Sequence, residues 1–134
     1  MSLAISERER EGITILDLAG RITVGEEAAG LRERFRTLAA AGRNRVILNL
    51  REVDYIDSTG LGVIVMGYTA LRRSGGGLVL EHLSERSIEL LVLTKLSTIF
   101  DVFDDEQQAV NSFFPDRHIR KFDILSFVRE QGKE

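Results

Sequence analysis

The chain has 134 residues, 21 acidic and 18 basic side chains, a formal net charge of −3, 43% hydrophobic and 29% charged residues. These are the proportions of one ordinary globular domain, which excludes disordered and fibrous classes. Acidic and basic residues alternate with no Lys/Arg-rich run, so no nucleic-acid partner is expected, and the absence of Cys removes disulfides, thiolate metal sites and Cys nucleophiles.

Residues 1–11 are mixed and charged and lack the apolar centre of a secretory signal. No apolar run reaches the roughly 18 residues of a membrane span. A cytoplasmic protein with no direct membrane insertion is expected. The single proline, Pro115, divides the chain into a domain over 1–114 and a C-terminal extension over 115–134, predicted helical.

The alternating run Ile13 to Ala19 predicts an opening strand or hairpin, continued by the short extended piece Gly20-Arg-Ile-Thr23. Thr23-Val-Gly-Glu26 reads as a capping box, and Ala28, Leu31, Phe35 and Leu38 share one face of a first helix that Gly42 stops. Arg45 to Leu50 and Gly77 to Glu81 are short apolar runs suited to a sheet interior. Between them Leu61 to Arg73 is helical. Ser84 caps a third helix to about Leu93, Ile99 to Phe103 reads as a strand, and Asp104 caps a last helix ending near Phe113. The order β-β-α-β-α-β-α-β-α predicts an α/β sandwich with helices on a mixed, mostly parallel sheet.

The stretch from Val46 to Val65 is the most informative. A buried strand runs into a polar loop, Asp54 to Ser58, and at once into a helix, which places Ser58 as the N-cap, in the positive field of the helix start. A plain cap explains such a serine. A phosphoryl group there would add about −1.5 to −2 charge, which a helix N-terminus tolerates, so the change would be felt by a partner touching the surface. The following helix has a core stripe, yet its opposite side carries Gly62, Val63, Met66, Gly67 and Ala70. Burial inside the domain or a homodimer accounts for this, and so does a flat apolar docking surface beside Ser58.

Asp57-Ser58-Thr59-Gly60-Leu61-Gly62, with the strand before it and the apolar helix after it, resembles the signature of the STAS domain family, the anti-sigma factor antagonists. The resemblance extends to Gly20-Arg-Ile-Thr23 and covers roughly residues 10 to 112. It implies a single STAS-like domain and a non-enzymatic partner-switching protein without a cofactor. It further implies phosphorylation of Ser58, with Thr59 as second choice, by an anti-sigma factor serine kinase that the unphosphorylated form binds, and a phosphatase that resets it. Carried over residue by residue, Asp57 and Thr59 flank the phosphoacceptor and Gly60 and Gly62 permit close approach; the apolar helix face adds Val63 and Met66, and the strand end adds Thr23, as expected partner contacts. Thr23 stands where many antagonists carry an acidic residue, and the tail after Pro115 is a second departure. The alternative is a STAS subunit giving a constitutive interface in a sensory complex or a transporter's cytosolic assembly, with a small ligand at the sheet's C-terminal edge as a third possibility.

Other signals are weak. Asp57, Ser58 and His82 lack the glycine two residues before the serine that a nucleophile elbow needs. Glu52, Asp54 and Asp57 lack a coordinating-loop pattern, His82 and His118 lack metal-ligand spacing, and Gly75 to Gly77 read as a helix stop. No metal is expected. In the tail, Ile119, Phe122, Leu125 and Val128 recur at helical intervals, for packing on the domain, a dimer arm or a partner.

Overall fold

Alternation along the strands sorts the apolar residues onto the two faces of a sheet. The computed structural model describes residues 2–132. Its five strands lie in the order β1 (Leu3–Arg10), β2 (Ile13–Ile22), β3 (Arg45–Ile56), β4 (Gly77–Glu81), β5 (Val102–Phe103). The β1–β2 pair is antiparallel and the other pairs are parallel, the mixed, mostly parallel sheet expected. Helices α1 (Glu26–Ala40), α2 (Ser58–Arg73) and α3 (Glu85–Leu93) supply Phe35, Ile64 and Leu91 to the main core, with Leu16, Leu48 and Leu80 of the sheet. The opposite face sends Ile13, Ile15, Ile47, Val79 and Phe103 against Ala109 and Val110 of α4 (Glu106–Asn111).

Several boundaries differ from expectation. The charged opening is a strand: Leu3–Arg10 is an edge strand pairing along β2, and Gly20 to Ile22 simply continue β2. Thr23 forms no capping box. Gly25, at φ 110°, is the N-cap of α1 without a side-chain bond, while Thr23 contributes its carbonyl, accepting from the Ala28 N–H at 3.0 Å. The loop expected from Asp54 is strand as far as Ile56. The strand expected over Ile99 to Phe103 shrinks to two residues behind a 3-10 turn at Leu96–Thr98, and Asp105 instead of Asp104 caps α4.

Beyond Pro115 the chain runs back across the domain. Arg120 N–H donates to Gln108 Oε1 at 2.7 Å and Phe122 N–H to the Val102 carbonyl at 2.8 Å, so the tail lies along the outer edge of β5. Phe122 and Ile124 pack against the main core, and α5 (Ile124–Gly132) follows. Residues 133 and 134 of the predicted extension lie outside the described residues.

Candidate regulatory site

Register positions the site. Between the pairs Asp17–Asn49 and Ile22–Ile56, β3 uses two more residues than β2, which appear as register shifts. Bulges of this kind bend and re-aim a strand. Pairing with β4 stops at Asn49–Glu81, so the far half of β3 projects past its neighbour on a two-stranded ribbon with β2. The first turn of α2 is built on the end of that ribbon.

Asp57 makes the turn. Its N–H donates to the Ile22 carbonyl at 3.2 Å, which holds it extended, and it is Asp57 that caps α2. One carboxylate oxygen accepts from Gly60 N–H at 2.7 Å and the other from Val24 N–H at 2.9 Å. The two backbone donors, Gly60 before Val24, hold its carboxyl below the usual carboxylate range, so it is ionised at neutral pH. The expected Ser58 cap is therefore corrected: Ser58 is the first residue of the helix, exposed, with Thr59 exposed beside it. A carboxylate that can span two donors displaces a hydroxyl from the cap position, so the Ser58 hydroxyl is not needed for the cap.

Gly60 and Gly62 play different parts. A Cβ at Gly60 would lie 2.8 Å from Ile22 Cγ2 and closer still to the Ile22 carbonyl oxygen, so the close approach is to the chain's own β2. A Cβ at Gly62 would meet nothing within 4 Å. Val63, expected on the exposed side, is 1% exposed, and a Cβ at Gly67 would lie 2.5 Å from the Phe35 ring. Both residues face α1. The apolar surface thus narrows to a ridge, Ser58, Gly62 and Met66, one helical turn apart, with Met66 48% exposed. Beside it lies a groove of about 230 Å³ with Phe35, Val63 and Gly67 among its lining and Arg32 and Arg36 on the α1 side.

Two cations near the site escaped the sequence. Arg21 sits opposite Tyr55 in register with its guanidinium 5.0 Å from the ring centroid, and Arg86 of α3 approaches the same ring at 5.8 Å. Arg21 also favours the ionised form of Asp57. The cross-strand Arg–Tyr pair becomes visible only once the bulges set the register. Thr23 is half-buried two residues before α1's cap, next to Val24, whose N–H is bound by Asp57. His82 is engaged by Arg51 at 3.1 Å, and burial followed by that guanidinium lowers its pKa.

The comparisons with known proteins agree with this architecture. The STAS domain family matches residues 4–109, and the chain belongs to that family. An anti-sigma-B factor antagonist of Bacillus subtilis (strain 168) is 39% identical over 102 residues, covering 76% of this chain and 92% of its own length. A solved Thermotoga maritima protein superposes with a TM-score of 0.76 at 27% identity, over 81% of this chain and 93% of its own. SpoIIAA shares the fold in its unphosphorylated form, with a TM-score of 0.63 at 18% identity over 81% of this chain and 96% of its own. In its phosphorylated form the values are 0.62 and 17%, over 78% and 95%. Among the described residues no helix is long and apolar enough to cross a membrane.

Proposed function

We propose that this chain is an anti-sigma factor antagonist whose partner exchange is set by phosphorylation of Ser58. The observation that carries the reading is an exposed Ser58 hydroxyl on the first turn of α2, released from capping by Asp57. A phosphoryl group added there removes no cap bond, so the fold can tolerate it. SpoIIAA, which shares the fold, is known in both forms. Curated relatives named anti-sigma-B factor antagonists match over three quarters of the chain.

The electrostatics favour a switch in affinity. Phosphorylation adds about −1.5 to −2 charge at the head of the ridge, directly beside the ionised Asp57. A surface that accepts a neutral hydroxyl, the open Gly62 and Met66 then faces a clustered negative charge with bulky oxygens. In the unphosphorylated state the ridge binds an anti-sigma factor serine kinase, a phosphatase restores that state, and the chain itself turns over no substrate. Asp57, Thr59 and Thr23 border the contact. Gly60 and Val63 support it from within.

Lysate of the source organism passed over Ser58→Ala and Ser58→Asp baits in parallel tests the proposal. An ATP-binding anti-sigma factor retained by the alanine bait and lost from the aspartate bait is expected. The same partners on both baits, transport or scaffold subunits in particular, would replace the switch with a constitutive interface.

A further inference from the structure

The sheet face covered by α4 carries a polar row that the docking site does not use. Asp17, Asn49 and Glu81 are registered neighbours on β2, β3 and β4. Glu81 is fully buried, and neither of its carboxyl oxygens has a hydrogen-bond partner among the described residues. It faces the carboxylate of Glu106, the first residue of α4. Glu106 is fully satisfied from the other side, by Arg8 at 2.6 Å and Arg10 at 2.8 Å, both from β1. Arg8 also binds Asp17 at 2.6 Å, and Asn49 donates to Asp17 at 2.8 Å. The cations in this cluster are therefore committed to Asp17 and Glu106. Among the described residues no cation pairs with Glu81: the Arg8 charge favours its ionised form but is spent on Asp17 and Glu106, and the nearby His82, 4.0 Å away, is held toward its neutral form by burial and Arg51. Glu106, Asp104 and Asp105, at and just before the start of α4, pull His82 the other way without outweighing burial and Arg51.

An ionised carboxylate without a partner in such a place is costly, whereas a neutral acid has a proton to give to the facing carboxylate. We propose that Glu81 and Glu106 hold one proton between them and that this proton is the catch of a latch seating α4 on the sheet. Burial first, then Glu106, push the Glu81 pKa up to about 9, consistent with the geometry. Loss of the proton sets two carboxylates against each other under the first turn of a six-residue helix. That helix also holds the tail, through Gln108 to Arg120 and Asn111 to Arg117. Alkaline conditions thus loosen α4 and the tail together and bare Ile47 and Phe103.

Two measurements on the full chain test the latch. A carboxyl ¹³C titration of the parent protein should show Glu81 protonated at pH 7 and titrating far above the ordinary range near about 4.3. Relative to Glu81→Gln, the parent's unfolding constant should rise about tenfold per pH unit between pH 5.5 and 8.5, because folding takes up one proton. Amide exchange at Ala109 should quicken with pH in the parent and not in the glutamine variant, after correction for intrinsic rates. A Glu81 carboxyl that titrates in the ordinary range overturns the latch, as does a Glu81→Gln chain with the parent's pH dependence. Should the variant fail to fold, the carboxyl titration decides alone.

Discussion

Two glycines two residues apart at the start of α2 should respond oppositely to the same added methyl group. At Gly60 the new Cβ would lie 2.8 Å from Ile22 Cγ2 and nearer to a backbone oxygen. Carbon atoms in contact sit about 3.5–4.0 Å apart, so the helix start must back away by at least about 0.7 Å. Its other neighbour is rigid strand backbone, so the movement falls on the first turn of α2 and stretches the Asp57 bonds to Gly60 and Val24. With a backbone oxygen as the nearest neighbour the overpacking falls at the upper end of about 1–3 kcal/mol, which outweighs the gain of about 0.8–1.0 kcal/mol for alanine over glycine in a helix and leaves a net loss of about 2 kcal/mol, or about 8 °C of melting temperature for a chain of this size. At Gly62 nothing lies within 4 Å, and Gly→Ala in a helix gains about 0.8–1.0 kcal/mol, a rise of about 3–4 °C. Thermal melts by circular dichroism of Gly60→Ala, Gly62→Ala and the parent measure both. A Gly60→Ala chain melting within about 2 °C of the parent would refute the claim that α2 is clamped against β2. The Gly62 methyl also intrudes on the ridge, so Gly62→Ala should bind the anti-sigma factor more weakly while being more stable, a combination a purely structural role for α2 does not produce.

Other expectations follow from the same contacts. Met66→Glu should leave the melting temperature nearly unchanged, because Met66 is 48% exposed, and weaken partner binding at least about tenfold, the equivalent of 1.4 kcal/mol, as isothermal titration calorimetry would record. Phe35→Ala, which empties a ring 3% exposed between α1 and α2, should cost about 3–5 kcal/mol in urea unfolding. Glu106, held down to about 2 by its hydrogen bonds from Arg8 before all else, has a folded pKa below the unfolded one. Its contribution is therefore present above about 4.3 and lost as pH falls toward the folded value, and acid unfolding of Glu106→Gln should lose that part of the parent's transition. Phe122→Ala should free the tail, read as faster proteolysis after Arg117 or Arg120 with the rest of the domain intact.

The sequence carried the sheet's interior well because Arg45 to Leu50 and Gly77 to Glu81 are strand-length and apolar, and helix α1 because its four buried residues share one face. It hid β1 because an edge strand exposed on most sides shows little apolar alternation: only Leu3 and Ile5 of that strand pack on the core. At the site, both residues of Asp57-Ser58 are good caps. The choice fell to Asp57 through its strand bond to Ile22 and its second acceptor for Val24, both long-range contacts. Val63 and Gly67 lie on a helix that is apolar nearly all round, so no periodicity could tell which side meets α1; the Phe35 ring decides it. Glu81 ends a strand in a place where a polar residue looks unremarkable, and its burial comes from α4, 25 residues later in the chain.

The most direct measurement is the affinity of a purified anti-sigma factor, recovered with the Ser58→Ala bait, for the chain carrying serine at 58 and for the chain carrying stoichiometric phosphoserine there, with both forms checked for equal helicity. Tight binding by the serine form and at least about a hundredfold loss on phosphorylation, about 2.7 kcal/mol, are expected. Equal affinity of the two folded forms would rule out a phosphorylation switch at Ser58.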